Sequence, residues 1–330
     1  MKRISPPYRV YVGLVSTGYL NPTSLSQTIA AGIEYCGFSP QNKDRILVKP
    51  DINFVHPKIA PRAYTHPEVT RAVCNGIFQK ASDAKVHILS ETAFPISEKY
   101  LLENAQGESE DFSPKGYYEF KKLFSNKVQI ETMDESATDL YFTSKNLSPF
   151  GTGLHETETY RLYHQCDKSV FIPKIRTSVL HHGFYGALAL GANRYLGDPN
   201  LSQKTCDLLE VCNPDLIIGD MVVLNVGSAL FSSPHYEMGV LLISNNALAH
   251  DMIAAHLLCL DPTQIEPLQF AMKQGWGPNH LNQIDTAGLG TDGIKSLRIK
   301  SRVWMLKVPY EEPSDLLAPI SATDKSKTKN

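Results

Sequence analysis

The sequence predicts an α/β protein with a mostly parallel sheet, helices on its faces and an irregular α+β insertion in the middle. Three observations carry this expectation. Short β-rich runs alternate with amphipathic helical stretches through the first third of the chain, and the alternation returns after about residue 165. Between about residues 95 and 165 the chain is polar and shows neither period.

The first run, Arg9 to Val15, is β-rich and ends in the loop Ser16–Thr23. Ser24, with Gln27 three residues later, reads as a capping box, and Gly37 stands where a helix could stop. Arg45 to Lys49 is a compact strand closed by Pro50. After a long loop, His66-Pro67 suits a helix start, and Val69, Val73, Gly76 and Ile77 give that helix one apolar face. Lys85 to Leu89 is the third strand, completing a β-α-β-α-β order that favours parallel pairing. Further on, Ser169–Pro173 reads as a buried strand, followed by a Gly-rich segment from His181 to Gly197. A helix near Gln203–Val211, strands at Asp215–Gly219 and Val240–Ser244, and a helix at Asn246–Leu260 come next. Ser296 to Val308 alternates like a strand, and the last residues read as a solvated tail.

Composition bounds the function. Apolar residues make up 42% and charged residues 20% of the 330, which excludes a disordered chain and suffices for one large domain or two packed lobes. Lys and Arg total 32 against 34 for Asp and Glu, so there is no global basic field, which argues against a nucleic-acid partner. The start lacks the apolar run of a signal peptide, and no stretch approaches a membrane span, so a cytoplasmic protein without a membrane partner is expected. The six cysteines, from Cys36 to Cys259, include no C-x-x-C pair, so reduced buried thiols are expected, with no iron–sulfur cluster. Eleven histidines, among them His66, His155, His164, His181 and His182, have no ligand spacing, and no metal site is assigned.

Three segments could carry chemistry. Gly288-Leu-Gly290-Thr-Asp-Gly293 matches a dinucleotide fingerprint, but Ile294 to Ile299 reads as a strand and Asp292-Gly293 as a hairpin turn, so a turn is expected there. Lys49 and Asn53 sit at the C-terminal end of a buried strand, opposite the helix start at Thr65 and His66, where free backbone N–H groups can hold an anion. The bland alternative is a snorkelling lysine and an ordinary capped helix. Asp251 lies in an apolar helix, so it is either buried with a partner or part of a solvent-facing stripe with His250.

Ile46 to Asn53 with Thr65 to Val73, Val170 to Thr177 with Gly186-Ala-Leu188, and Leu242 to Ala255 with Leu260-Asp-Pro262 and Gly275-Trp-Gly277 together resemble the family known as domain of unknown function 362. The resemblance implies one such unit over residues 1–312, with the insertion at about 95–165 and a tail at 313–330. Some members carry a ferredoxin-like segment that this chain lacks. A Lys and a His are expected near Arg176 and Ser178, and a Lys-Asn pair where Ala189 and Leu190 stand. The expected function is a small-molecule enzyme acting on an anionic carboxylate or phosphate substrate, of open reaction class and unassigned cofactor. Lys49, Asn53, Thr65, His66 and Arg176 would bind the substrate, and Lys174 and Asp251 would be catalytic. The alternative is a non-catalytic ligand- or protein-binding module. Clustering of Lys49, Lys174 and Asp251 in one pocket separates the two. The oligomeric state is left open.

Overall fold

The protein is described from a computed structural model over residues 5–307, except 17, 56–61, 93, 95, 108–109, 114, 133–140, 146–155, 179–182, 196–197, 199 and 227–234. Strand β1 (Tyr8–Leu14) is followed by α1 (Pro22–Tyr35), β2 (Arg45–Pro50), α2 (Pro67–Lys80) and β3 (Lys85–Leu89). The middle holds α3 (Glu98–Asn104), α4 (Phe120–Leu123), β4 (Val128–Glu131), the hairpin β5 (Tyr141–Lys145) and β6 (Glu156–Tyr160), and α5 (Leu162–Gln165). Then come β7 (Lys168–Ile172), β8 (Lys174–Arg176), α6 (Ala187–Gly191), α7 (Leu201–Cys212), β9 (Leu216–Asn225) and β10 (His235–Ser244). The chain continues through α8 (Ala247–Leu257), α9 (Glu266–Lys273), β11 (Ile284–Gly288) and α10 (Gly290–Lys307).

One nine-stranded sheet, in the order β11-β1-β10-β9-β7-β2-β3-β4 with β8 alongside β9, runs through the molecule. It is mostly parallel: β10 alone runs against its neighbours, β1 and β9. The fold class is therefore the one expected, an α/β arrangement with helices on both faces. Strand alternation decides what each face carries. Ile46, Val48, Val170, Ile172, Ile218, Leu241 and Ile243 pack beneath α1 and α2. Val10, Val12, Ile217, Met221, Val240 and Leu242 pack on the other side, against α8 and α9. The irregular middle is not wholly separate from this sheet, because β4 continues it beyond β3.

Two local expectations are corrected. Helix α1 starts one turn earlier than the Ser24 capping box implied: Asn21 is the N-cap, its side chain accepts from the Ser24 N–H, and Pro22 occupies the first turn. Its end is as expected, with Gly37 at φ +71° and the Phe38 N–H bonded to the Ile33 carbonyl. The second correction concerns the glycine motif. Residues 294–299 are helical, not extended, and lie inside α10 after the short parallel strand β11. A strand thus precedes the glycines and a helix follows them, the reverse of the hairpin expected. Ile294 and Leu297, three residues apart, fit one face of a helix, and both pack on the α8 side of the sheet. Gly288 is required for its own reason: at φ +90°, an added Cβ would lie 2.1 Å from the Val12 carbonyl oxygen. The tail expected at 313–330 lies outside the described residues.

Candidate functional site

Parallel strands bring their C-terminal ends to one edge of the sheet, and there the chain buries an unusual amount of charge. Lys49, Asp51, Lys174, Arg176 and Asp220 are each at most 2% exposed. Ionic groups taken out of water need a partner of opposite charge and further hydrogen bonds. Each of these has them, in three separate nodes.

The first node centres on Lys49. Its Nζ donates to Glu91 Oε2 at 2.5 Å and to the Tyr163 hydroxyl at 2.8 Å, above the rings of Tyr163 and Phe171. The second joins Lys174, Tyr19 and Asp220. Lys174 Nζ donates to the Tyr19 hydroxyl at 2.6 Å and lies 3.2 Å from Asp220 Oδ2. The Tyr19 hydroxyl in turn donates to Asp220 Oδ1 at 2.8 Å. Asp220 also accepts from the backbone N–H groups of Val222 and His66, so all four acceptor positions of its carboxylate are used. The Tyr19 ring stacks on the His66 imidazole at 3.9 Å between centroids. Burial, then Asp220, pushes the Tyr19 phenol well above its ordinary range, whereas burial lowers the Lys174 ammonium against the pull of Asp220.

The third node pairs Arg176 with Asp51 at 2.5 Å, with the guanidinium 3.7 Å above the Tyr185 ring. Burial opposes the arginine's charge, but Asp51 and Tyr185 together outweigh it and hold its pKa above the ordinary value. Thr65 ties this node to the sheet: its hydroxyl accepts from the Asp51 N–H and donates to the Ile172 carbonyl. Asn53 follows closely, its N–H directed at Asp51 Oδ1 and its carbonyl accepting from the Thr92 hydroxyl.

His66 is the N-cap of α2, with Nδ1 accepting from the Glu68 N–H. The helix start that could hold an anion already faces one, since the His66 N–H points to Asp220. Asp220 is not among the site residues expected from the sequence. An aspartate in the apolar run Leu216 to Leu224 was the available signal, because a carboxylate there must be matched from elsewhere in the fold. Tyr19 and Glu91 had no comparable signal; both come from irregular segments that only tertiary structure places.

Asp251 does not join these nodes. It is buried, as the first of the two readings held, but its partners are the N–H groups of Ala187 and Leu188 and the adjacent His250. The reason is the sheet. Helix α8 packs on the face that carries Gly219, while Asp220, one residue on, points to the face of Tyr19. Lys49 is likewise turned away from Lys174, since Val48 before it packs with α1 and α2. The expected cluster of Lys49, Lys174 and Asp251 is therefore split among separate polar centres. Of the other histidines considered, His155, His181 and His182 lie outside the described residues, and His164 Nε2 is 3.1 Å from the Thr159 hydroxyl. Among the described residues no group of three or more His, Cys, Asp or Glu could hold a metal ion.

Beside the second node opens a cavity of about 570 Å³, the size of a small-molecule site. Tyr19 lines it, with Arg62, Lys300 and Glu237 as its charged groups and Leu14 and Leu20 among its apolar ones. The Arg62 guanidinium sits 6.0 Å from the Tyr19 ring centroid. No described helix is long and apolar enough to cross a membrane.

A mostly parallel sheet flanked by helices, with charges buried toward the strand ends, defines an α/β protein. The chain belongs to the family described as Domain of unknown function (DUF362), whose model matches residues 46–256. That match spans β2 to α8 and so contains Lys49, Asp51, Lys174, Arg176, Asp220 and Asp251, but not Tyr19. No curated protein matches. Among solved structures the chain is similar to lactate racemase apoprotein from Thermoanaerobacterium thermosaccharolyticum, at 11% identity and a TM-score of 0.42, over 78% of this chain and 58% of that one.

Proposed function

We propose that the protein acts on a small anionic molecule held in the cavity over Tyr19. One observation carries the reading: Tyr19 belongs at once to the cavity wall and to the buried Lys174–Asp220 pair. Arg62 and Lys300 outnumber Glu237 among the charged lining groups, which favours a carboxylate or phosphate. Behind the wall, a tyrosine held protonated and a lysine whose charge is disfavoured by burial form a chain along which a proton can pass. The reaction class this supports is proton transfer at the bound molecule. Lys49 and Arg176, each locked to a carboxylate, shape the strand ends instead of meeting the ligand.

A second reading, a binding module without turnover, is favoured by the same saturation: Lys49, Lys174 and Arg176 each have a carboxylate, and Asp251 lies apart. Native mass spectrometry of freshly purified protein, followed by identification of any retained molecule, tests both. With that molecule as substrate, Tyr19→Phe should keep binding and abolish turnover, whereas Arg62→Gln should weaken binding itself. A wild-type protein that binds the molecule and leaves it unchanged would select the module. Retained binding in Arg62→Gln would remove the ligand from this cavity.

A further inference from the structure

At the other, N-terminal end of β2, β3 and β4 lies a second cavity, of about 480 Å³, lined by Lys43, Arg45, Asp83, Lys85, His87 and Gln129. Its charges do not balance: three cations face a single carboxylate. Arg45 and Lys85 are register partners on adjacent parallel strands, so their side chains leave the same face of the sheet side by side. Like charges so placed repel. Among the described residues neither side chain has a hydrogen bond or an ion pair within 4.0 Å, and the Asp83 carboxylate matches neither. The backbone nevertheless fixes both, through Arg45 N–H to Asp167 and Lys85 N–H to the Asp44 carbonyl.

One step further along the same strands, Leu47 pairs with His87, and Gln129 flanks His87 from β4. His87 is 5% exposed, its Nδ1 lies 3.0 Å from Glu131 Oε1, and its Nε2 has no hydrogen-bond partner among the described residues. A buried ring nitrogen in that state is costly, and a site is one of the reasons proteins retain it. With Nδ1–H given to the carboxylate, Nε2 is left as an acceptor suited to a hydroxyl.

We propose that this cavity is a second binding site, distinct from the one over Tyr19, for a small hydroxylated oxyanion. Arg45 and Lys85 form the clamp on the charged group, Lys43 stands at the rim, and His87 takes a ligand hydroxyl or the water that bridges to it. The shared chemistry is that of a sugar phosphate or a hydroxy-tricarboxylate, and the two are separated by experiment.

Isothermal titration of the full chain with ribose 5-phosphate and, separately, with citrate provides the test. Saturable binding of at least one is expected, weakened about tenfold or more by Arg45→Gln and by Lys85→Gln, as befits loss of one charge-assisted hydrogen bond. Arg62→Gln, in the other cavity, should leave it unchanged. The ligand-free Lys85→Gln protein should melt at or above the wild-type temperature, because it loses a repulsion and no partner. Failure of both probes to saturate, binding that survives both substitutions, or a lowered ligand-free melting temperature in Lys85→Gln would each overturn the proposal. A preference between the two probes names the anion class.

Discussion

Asp251 on α8 accepts the Ala187 backbone N–H at 2.8 Å, and through that bond it fixes the start of α6. Its second oxygen takes the Leu188 N–H at 3.0 Å, and His250 Nδ1 lies 2.7 Å from the first. Gly186 makes room for this, since a Cβ there would stand 2.3 Å from the carboxylate. Just before it, Tyr185 carries the ring under Arg176. Asp251 is thus coupled to the Arg176–Asp51 node from the far side of the sheet without touching it. Replacing it by Ala strands two N–H groups and a histidine in a dry interior. Asp251→Ala should lower the unfolding free energy by about 3 kcal/mol, and Asp251→Asn by about half as much, because the amide keeps one acceptor. Urea denaturation of the two variants checks this, and unchanged midpoints for both would show that the carboxylate does not hold α6.

Lys49 and Glu91 form a pair in which each ion justifies the burial of the other. Lys49→Met removes the cation that pairs with Glu91 and sits over the Tyr163 and Phe171 rings, and about 3–5 kcal/mol of stability should go with it. Adding Glu91→Gln to Lys49→Met should recover part of that loss, with a coupling energy of about 1–3 kcal/mol. A double-mutant cycle in chemical denaturation measures it. Strictly additive losses would mean that the two side chains are held independently by their other neighbours.

The sheet was legible in the sequence because its strands announce themselves. Arg45 to Lys49, closed by Pro50, and Lys85 to Leu89 are compact runs, and both fall on the strands observed. What could not be read was which face each polar residue joins. Alternation is a local rule, but β1 lies four places from β2 in sheet order because β10, β9 and β7 intervene. That order places Lys49 with α5, Lys174 with the Tyr19 loop and Asp251 behind Gly219. The end of the chain misled for a different reason. Glycines and a short amphipathic run are compatible with a hairpin or with a strand–helix join, and the parallel pairing of β11 with β1 decided it.

Burial also sets the reactivity of the cysteines. The Cys36 thiol is pushed up to about 12 and Cys74 higher still by loss of solvent, while Cys166, only partly buried, is raised to about 11. Thiolate, not thiol, is the nucleophile, so all three should alkylate slowly in the native protein. Among them Cys166 should react first with iodoacetamide at pH 8, and Cys74 only after unfolding. Peptide mapping over a time course checks the order, and labelling of Cys74 ahead of Cys166 would show that α2 opens more readily than the Cys166 segment.

His256, in the last turn of α8, makes stability depend on pH in a definite direction. Burial, and secondarily the Arg298 guanidinium, lower its pKa below the ordinary 6.5. Arg298 reaches it because its Nε–H bonds the His256 carbonyl. The folded protein then binds its proton less readily than the unfolded chain does. Between the folded and the ordinary value the unfolded state holds more protons, so stability rises with pH in that window. The contribution is complete above about pH 6.5, declines as pH falls below it, and levels off once the folded state also takes the proton. His256→Gln removes the group and should flatten this part of the curve while leaving the plateau above neutrality in place. Because His164 is shifted the same way by burial, the flattening should be partial in the single variant and fuller with His164→Gln added. Urea unfolding between pH 5 and 8 reads the slope directly, and a slope unaltered in the double variant would place the pH dependence on other groups.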